Sequence, residues 1–410
     1  MGLRLAMANP LARLLALTFA LLLCACATSP AQAPRAPVIL IAIDGFRPDY
    51  LQRGVTPTLS RLADEGASAV IRPSFPSNTF PNHYTLVTGL RPDQHGIVDN
   101  TMRDPEIPGV RFAMSNKAAV TDARWWDGAV PVWVSAERAG VRAGTMFWPG
   151  SEAAIGGVRP SLWRPFDQTI SANARVDQVL AWLDAPAARR PGFLTLYFDE
   201  VDTAGHRVGP DSPLMARSLA STDAAIARLL EGLEARNIAA NLVVVADHGM
   251  APISPQRVTW LEDVLPAGAA EAVTAGATAG LVPAEGRTAE AEKALLAPHP
   301  NMTCWRKGEV PPALNYGRHR RVPPIFCLAR TGWLIMSRSR PAVGSGAHGY
   351  DPADPLMAAL FIAHGPDIRP GRLASFDNAE VYGLLMGLLD LPLEPGAALA
   401  PVAKGVLRNR

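Results

Sequence analysis

Charged side chains are sparse and nearly balanced in this 410-residue chain. They make up 19% of the residues and leave a formal net charge of +2. A protein that binds a nucleic-acid duplex through its phosphates needs a basic stripe or a basic run, and the sequence has neither. We therefore expect no duplex binding. The hydrophobic content of 48% is that of a globular chain, long enough for one large α/β domain or two smaller ones.

Cysteine is also scarce, with four in the chain, and two of them lie near the N-terminus. There, two arginines precede an apolar stretch that is too short to span a bilayer as a stable helix. The stretch ends in Leu-Cys-Ala-Cys, which resembles a bacterial lipobox with Cys26 as the lipidated residue. We expect residues 1–26 to be a lipoprotein signal segment and residues 27–37 a tether. This predicts an exported protein of the periplasm or cell envelope, lipid-anchored to the outer membrane; plain secretion is the alternative.

The other two cysteines are Cys304 and Cys327. Two cysteines in an exported chain are expected to pair, and no second pair of ligands beside them suggests a metal site. A disulfide here would close a loop of roughly 20–25 residues, worth on the order of 3 kcal/mol in the chain-entropy account. The pair lies in a proline-rich stretch of weak periodicity, about residues 254–340, which we interpret as an inserted lobe.

Apolar β-branched runs alternate with helical patterns over the rest of the chain. Residues 38–43, Val-Ile-Leu-Ile-Ala-Ile, are typical of a strand buried on both faces. Residues 192–198 and 241–246 form similar runs, and each is followed by Asp or His. The pattern predicts an α/β fold with a central, mostly parallel sheet, helices on both faces and a site at the carboxyl ends of the strands.

Metal-competent side chains cluster after these strands. Two of them, Asp202 and His206, are four residues apart, so one helical turn would put both on one face. Asp199 and Glu200 compete for the same role but lack that spacing. Each fragment alone is weak, because a single Asp or His at a strand end is commonly a cap or a turn. The full candidate set is Asp44, Asp202, His206, Asp247, His248 and His348.

Thr79 is the candidate nucleophile. It lies between Pro76 and Pro81, and each proline ring fixes its own φ and restrains the residue before it. We therefore expect residues 73–83 to form a stiff, non-helical turn that presents one hydroxyl. A threonine hydroxyl needs a base or a metal to react at neutral pH. With Thr79, the candidate ligands number seven, which suits two Zn²⁺ ions roughly 4 Å apart.

Six short motifs occur in an order that carries a family resemblance. They are Asp44-Gly-Phe-Arg47, Phe75-Pro-x-x-Thr79-Phe-Pro-Asn-His83, His95-Gly-Ile-Val-Asp-Asn100, Asp202-x-x-x-His206, Asp247-His248-Gly-Met250 and Gly346-x-His348-Gly349. Together they resemble the nucleotide pyrophosphatase/phosphodiesterase family of the alkaline phosphatase superfamily, and closely its compact bacterial members. The resemblance covers nearly all of the mature chain. It implies one alkaline-phosphatase-like catalytic domain over residues 38–410.

The resemblance also implies roles for the residues. Asp202, His206 and His348 would hold one zinc ion, and Asp44, Asp247, His248 and the Thr79 oxygen the other. Thr79 would attack the phosphorus of a nucleotide diester or pyrophosphate, giving a phosphothreonine and then a nucleoside 5′-monophosphate. Asn100 would donate its amide to a non-bridging oxygen.

Aromatic residues near the site suggest how a nucleotide would bind. In the family, aromatics at the places of Phe80 and Tyr197 sandwich the base, and Phe166 resembles a third wall. The alternative for Tyr197 and Phe166 is that they are core aromatics. Stacking tolerates any base, so limited base selectivity is expected. His83 and His95 are expected to orient their neighbours through hydrogen bonds.

Other functions remain open at this stage. A phosphomonoesterase of the same superfamily, or a phospholipid or choline phosphodiesterase, could use the same site. A sulfatase would need Cys or Ser in place of Thr79. A non-catalytic surface-binding lipoprotein is the alternative outside enzymes. The sequence gives no indication of the oligomeric state.

Overall fold

The computed structural model describes residues 35–339, 344–397 and 401–408. The predicted signal segment with Cys26, and the tether up to residue 34, lie outside the described residues. Within the described ranges, no helix is long and apolar enough to cross a membrane.

The strands vary from two to six residues in length. In chain order they are β1 (Val38–Ile43), β2 (Ala67–Arg72), β3 (Thr101–Arg103), β4 (Arg111–Ala113), β5 (Ala143–Met146), β6 (Leu162–Arg164), β7 (Phe193–Phe198), β8 (Asn241–Val245), β9 (Ala251–Pro252), β10 (Val258–Trp260), β11 (Ala270–Thr274), β12 (Thr278–Pro283), β13 (Met302–Arg306), β14 (Ile325–Ala329), β15 (Leu334–Met336), β16 (Gly346–Ala347), β17 (Ala359–His364), β18 (Gly371–Arg372) and β19 (Phe376–Asp377).

Helices connect the strands. They are α1 (Pro57–Glu65), α2 (Thr79–Thr88), α3 (Pro92–His95), α4 (Lys117–Val120), α5 (Val132–Arg138), α6 (Ala172–Leu183), α7 (Glu200–Val208), α8 (Met215–Ala235), α9 (Leu261–Val264), α10 (Thr288–Leu295), α11 (Glu380–Leu389) and α12 (Pro401–Val406). Short 3₁₀ segments cover Pro48–Arg53, Ala123–Trp125, Ala187–Arg189, Pro312–Leu314 and Pro355–Met357.

The central sheet has the strand order β18-β2-β17-β8-β1-β7-β5-β6, with β19 also paired to β2. All six residues of β1 are buried, as expected for a strand inside a sheet that is covered on both faces. β1 runs parallel to β7 and β8, and β7 runs parallel to β5. Only β17 runs antiparallel to its two neighbours in this described sheet. The predicted α/β class with a mostly parallel sheet is confirmed.

Register places the ends of three strands at one edge. Ile43, the last residue of β1, is paired with Phe198, the last residue of β7, and Ala42 is paired with Val245, the last residue of β8. The residues that follow therefore emerge side by side at the carboxyl edge of the sheet. β17 ends in the opposite direction, so His364 lies at the other edge, 3.8 Å from Glu65.

The proline-rich segment forms a separate antiparallel sheet, ordered β11-β12-β14-β13, with a hydrophobic core of its own. Cys304 and Cys327 face each other across β13 and β14 and form a disulfide, as the export argument predicts. Residues 36–410 group into one compact unit that includes this sheet.

One local expectation is wrong. The segment around Thr79 is not a non-helical turn throughout, because α2 begins at Thr79 itself, with Asn78 as its N-cap. Pro81 lies in the first turn of the helix, where the missing N–H of proline costs nothing because that donor has no intrahelical partner. The hydroxyl therefore sits at the N-terminal end of a ten-residue helix, where the helix dipole stabilises negative charge.

Candidate active site

Asp44, Asp247 and His248 meet where β1 and β8 end. His248 Nε2 lies 3.4 Å from Asp44 Oδ1 and 3.1 Å from Asp247 Oδ2, and all three side chains are buried. The other oxygen of Asp247 accepts the backbone N–H of Gly45 at 3.2 Å. Gly45 has φ +67°, and a Cβ there would lie 3.2 Å from Asp202, so glycine lets the turn after β1 approach the next cluster closely.

Asp202 and His206 lie one turn apart on α7, the helix that follows β7. His206 Nε2 is 3.4 Å from Asp202 Oδ2, and His348 Nε2 is 3.7 Å from Asp202 Oδ1. The competing carboxylate, Asp199, is instead paired with the buried Arg175 guanidinium at 2.7 Å. The structure thus brings together Asp202, His206 and His348 and keeps Asp199 apart from them.

Backbone carbonyls set the tautomers of the three candidate histidine ligands. The Nδ1 atom of His206 lies 2.8 Å from Gly346 O, that of His248 2.9 Å from Gly249 O, and that of His348 2.9 Å from Ser77 O. A carbonyl oxygen can only accept, so each Nδ1 carries the hydrogen. Each Nε2 is left with a lone pair that faces the carboxylates, which is how metal-binding imidazoles are oriented.

The cluster of Asp44, Asp247 and His248 adjoins the cluster of Asp202, His206 and His348. The ring of His348 is 5.0 Å from that of His206 and stacks on that of His248 at 3.6 Å. By distance, His248 groups with Asp202 and His348, while His83 groups with Asp44 and Asp247. In each group the possible ligand atoms lie within 4.8 Å of one another.

Burial and repulsion act on the carboxylates. Burial raises the pKa of Asp44 well above its ordinary value, and repulsion from Asp247 and Asp202 adds to this. Burial also raises the pKa of Asp202. It would raise the pKa of Asp247 too, but His248 and His83 outweigh it and lower that pKa. Carboxylates this close destabilise one another's charge, and a divalent cation would remove that cost.

The residues fit a pair of metal ions. One oxygen each of Asp44, Asp202 and Asp247 is buried with no hydrogen-bond partner. Buried polar atoms without partners cost free energy, so three such oxygens facing imidazole lone pairs suit a bound cation. Nitrogen and carboxylate donors in this ratio suit zinc.

The Thr79 hydroxyl lies beside the cluster of Asp44, Asp247 and His248. Its Oγ1 is 3.3 Å from His248 Nε2, and the residue is 5% exposed. The carbonyl of Thr79 accepts a hydrogen bond from His83 Nδ1 at 2.9 Å, and the same nitrogen is 3.3 Å from Asp247 Oδ2. His83 therefore links the backbone of the candidate nucleophile to a candidate ligand.

The amide of Asn100 is oriented by the neighbouring backbone. Its Oδ1 accepts the N–H of Phe80 at 2.8 Å. Because an N–H can only donate, the atom that faces Phe80 is the oxygen, and the amide NH₂ points elsewhere. Asn100 is thus held beside Phe80, the residue that follows Thr79 in α2.

An aromatic slot of about 250 Å³ opens beside Thr79 and Asp44, and all three predicted aromatic residues line it. Phe80 packs edge-on against Phe112, and Phe166, which is 41% exposed, contacts Tyr197. The hydroxyl of Tyr197 donates to Asp44 Oδ2 at 2.6 Å. Tyr197 therefore both lines the slot and fixes a candidate metal ligand.

Several residues that line the slot are not predicted from the sequence. Phe147 and Trp148 follow β5 at the same sheet edge, so the rule that found Asp44 could have found them. Lys117 also lines the slot, on the short α4, where no pattern marked it. His95 is buried against Thr85 at 3.0 Å, outside the two clusters.

Comparison with known proteins identifies a family that matches most of this chain. The family model described as type I phosphodiesterase / nucleotide pyrophosphatase matches residues 38–351. An uncharacterized pyrophosphatase/phosphodiesterase of Schizosaccharomyces pombe is 38% identical over 398 residues, covering 91% of this chain and 81% of that protein. The venom phosphodiesterase of Crotalus durissus collilineatus is 35% identical over 399 residues, covering 93% of this chain. The chain spans 47% of that venom protein, about half its length.

Solved structures are similar as well. Mouse ectonucleotide pyrophosphatase/phosphodiesterase 5 is 34% identical, has a TM-score of 0.87 and covers 91% of this chain and 100% of its own. A second structure of that mouse protein, 33% identical with a TM-score of 0.86, is a threonine-to-alanine variant described as inactive and in complex with AMP. It covers 91% of this chain and 100% of its own.

Proposed function

Because the chain belongs to the type I phosphodiesterase / nucleotide pyrophosphatase family, we propose that it hydrolyses nucleotide phosphodiester and pyrophosphate bonds and releases nucleoside 5′-monophosphates. The observation that carries the proposal is the contact between Thr79 Oγ1 and His248, inside a buried set of carboxylates and imidazoles whose free atoms converge. A hydroxyl in such a place is a candidate nucleophile for phosphoryl transfer.

Two zinc ions are the proposed cofactor. Asp202, His206 and His348 would hold one, and Asp44, Asp247, His248 and Thr79 Oγ1 the other. When bound, the ions would make the hydroxyl ionise near neutral pH and neutralise charge on the departing oxygen. No separate general base is then needed.

The protein's own residues carry the proposed reaction. The Thr79 oxygen attacks phosphorus as the bond to the leaving oxygen breaks, which leaves the nucleoside monophosphate esterified to the threonine. Water then attacks the same phosphorus, releases the nucleoside monophosphate and returns the threonine hydroxyl. The amide of Asn100 donates to a non-bridging oxygen, where charge is concentrated during both steps.

The nucleoside half would lie in the aromatic slot, with its base between Phe80 and Tyr197 and near Phe166. Stacking on aromatic faces binds every base, so the slot supports nucleotides without strong selection among them. The complex of the mouse relative with AMP supports a nucleoside monophosphate as product.

The location of the enzyme is a separate proposal. Residues 1–26 would direct export, and Cys26 would carry a lipid that anchors the protein to the outer membrane. Radiolabelled palmitate should be incorporated by the full chain and not by a Cys26→Ser variant. Equal labelling of both would contradict the anchor.

The central test compares a bis-aryl with a mono-aryl phosphate on purified protein, before and after removal of metal by a chelator. We expect strong preference for the diester, loss of activity without metal and recovery on adding zinc. A large preference for the monoester would identify a phosphomonoesterase instead. Bound substrate with no turnover in the presence of zinc would identify a binding protein.

A further inference from the structure

A second cavity, of about 310 Å³, reaches the candidate metal site through different residues from the aromatic slot. It is bordered by Asn100, His206 and His348, whereas the slot is bordered by Thr79, Asp44 and Asp202. The two cavities share no lining residue in the described chain. A phosphodiester could therefore place one of its two ester substituents in each cavity.

In-line displacement bears on which substituent of the phosphorus enters the second cavity. The attacking and leaving oxygens lie on opposite sides of the phosphorus. With the nucleoside in the aromatic slot, we assign the leaving oxygen to the side of His206 and His348, two of the proposed zinc ligands. Those two residues border the second cavity, so we call it the leaving-group cavity.

The walls of the leaving-group cavity do not suit an anion. Among its described lining residues there is no lysine or arginine. Asp99 borders it, is 4% exposed, and has an Oδ2 without a hydrogen-bond partner. The other oxygen, Oδ1, lies 3.3 Å from the Thr101 N–H, 3.4 Å from the Asn78 amide and 3.5 Å from the Thr274 hydroxyl.

The lining of this cavity suits a ligand that carries hydroxyls. A buried carboxyl oxygen without a partner gains from a donor, and a sugar hydroxyl is a donor without charge. The hydroxyls of Thr101, Thr274 and Thr278 add further polar groups to the same walls. Apart from the two histidines that would hold zinc, a phosphate in this cavity would meet a carboxyl group and no described lysine or arginine.

We propose that the leaving-group cavity binds an uncharged, hydroxyl-bearing leaving group, such as the ribose of a second nucleoside, in preference to an anionic one such as pyrophosphate. The proposal rests on the proposed function and adds a preference to it, for diesters of two alcohols over pyrophosphates. Burial also raises the pKa of Asp99 to about 7, so at neutral pH its carboxyl group can either donate to or accept from a hydroxyl.

The test uses three substrates that share an AMP half and differ only in the leaving group. They are adenylyl-(3′→5′)-adenosine, adenosine 5′-(4-nitrophenyl phosphate) and ATP. Comparing kcat/KM between variants cancels the intrinsic reactivity of each bond. We expect Thr274→Lys, which adds a cation to the cavity, to raise the ratio of ATP to dinucleotide activity about tenfold. We expect Asp99→Asn to lower activity on the dinucleotide more than on the nitrophenyl ester.

Phe166→Ala is the matched control, because it alters the slot that all three substrates share. It should lower the three kcat/KM values by a similar factor. Because Asp99 adjoins Asn100, Thr274→Lys decides the question: an equal effect on the three substrates would overturn the leaving-group assignment. If the wild-type protein hydrolysed none of the three, the proposed function itself would fall, and this proposal with it.

Discussion

The imidazole rings of His248 and His348 stack with their centroids 3.6 Å apart and their planes 13° from parallel. The two residues are a hundred positions apart in the chain, one after β8 and the other after β16. His248 lies 3.4 Å from Asp44, and His348 lies 3.7 Å from Asp202, so the stack joins the two clusters. Burial lowers the pKa of His348 far below its ordinary value, and repulsion from His248 adds to this, which keeps its Nε2 available as a ligand atom.

This arrangement predicts that one histidine can be removed without emptying the whole site. His348→Ala removes a donor from one cluster and leaves the Asp44 and Asp247 side intact. We expect metal content to fall from about two zinc equivalents to about one, measured by mass spectrometry after gel filtration. His299→Ala is the control, since His299 bonds a backbone carbonyl in the lobe at 3.1 Å and should keep both ions. Loss of both ions from the His348 variant would show that the clusters do not bind separately.

The Thr79 hydroxyl is predicted to be the attacking group. Thr79→Ala should lower kcat at least about a thousandfold, because no other hydroxyl replaces it. Metal content should stay near that of the wild type, since the six Asp and His donors remain. With a nucleotide substrate, rapid quenching of the wild type followed by peptide mass spectrometry should find a nucleoside monophosphate attached to Thr79. A variant that kept a tenth of the activity would mean that water attacks the substrate directly.

Two substitutions separate the structural and the catalytic roles of Asn100. Asn100→Asp keeps an oxygen that can accept the Phe80 N–H but removes the amide donor and adds a negative charge. Asn100→Ala removes both. If the amide stabilises the transition state, both variants should lose about a hundredfold or more in kcat, and the Asp variant at least as much. If positioning of Phe80 were its only role, Asn100→Asp would retain most of the wild-type activity.

Much of the site could be predicted because it depends on strand ends. A continuous apolar run such as residues 38–43 predicts a buried strand, and the residue after it, Asp44, must emerge at the carboxyl edge. The four-residue spacing of Asp202 and His206 is equally local. These patterns are visible in the sequence without any knowledge of long-range contacts.

Other features depend on packing between distant segments and leave no local pattern. The antiparallel insertion of β17 between β2 and β8 is a matter of topology. The contact of Asp99 Oδ1 with the Thr274 hydroxyl, 3.5 Å away, joins residues 175 positions apart in the chain. The start of α2 at Thr79 differs from the predicted non-helical turn. Two prolines favour a turn, but proline is also compatible with a first helical turn.

Substitutions of Phe80 and Tyr197, the two aromatic residues near the nucleophile, are predicted to have different effects. Phe80→Ala removes a stacking surface, so KM should rise about tenfold for nucleotide substrates and less for small aryl diesters. Tyr197→Phe keeps the ring but removes the hydroxyl that donates to Asp44 at 2.6 Å. It should weaken metal affinity about tenfold or more, as loss of a partner of a metal ligand does, while nucleotide KM at saturating zinc changes little. Titration with a chelator and steady-state kinetics measure the two effects, and equal losses of Phe80→Ala on both substrate classes would exclude base stacking.

The protonation of His95 should make the stability of the fold depend on pH, independently of catalysis. Its Nδ1 accepts the Ile97 N–H at 3.1 Å, so the buried ring is neutral with its proton on Nε2, 3.0 Å from the Thr85 hydroxyl. Burial lowers the pKa of His95 to about 3, whereas the unfolded chain has the ordinary value of about 6.5.

Between these two pH values the unfolded state binds a proton that the folded state does not. The stabilising contribution of neutral His95 is therefore complete above about pH 6.5 and is lost as the pH falls toward 3, at up to about 1.4 kcal/mol per pH unit. From pH 6.5 to pH 5, the free energy of unfolding should fall by about 1.6 kcal/mol through this residue alone. His95→Asn keeps an acceptor for the Ile97 N–H but does not titrate, so urea unfolding at each pH should show a shallower slope for the variant. Identical slopes for the two proteins would mean that another group sets the acid sensitivity.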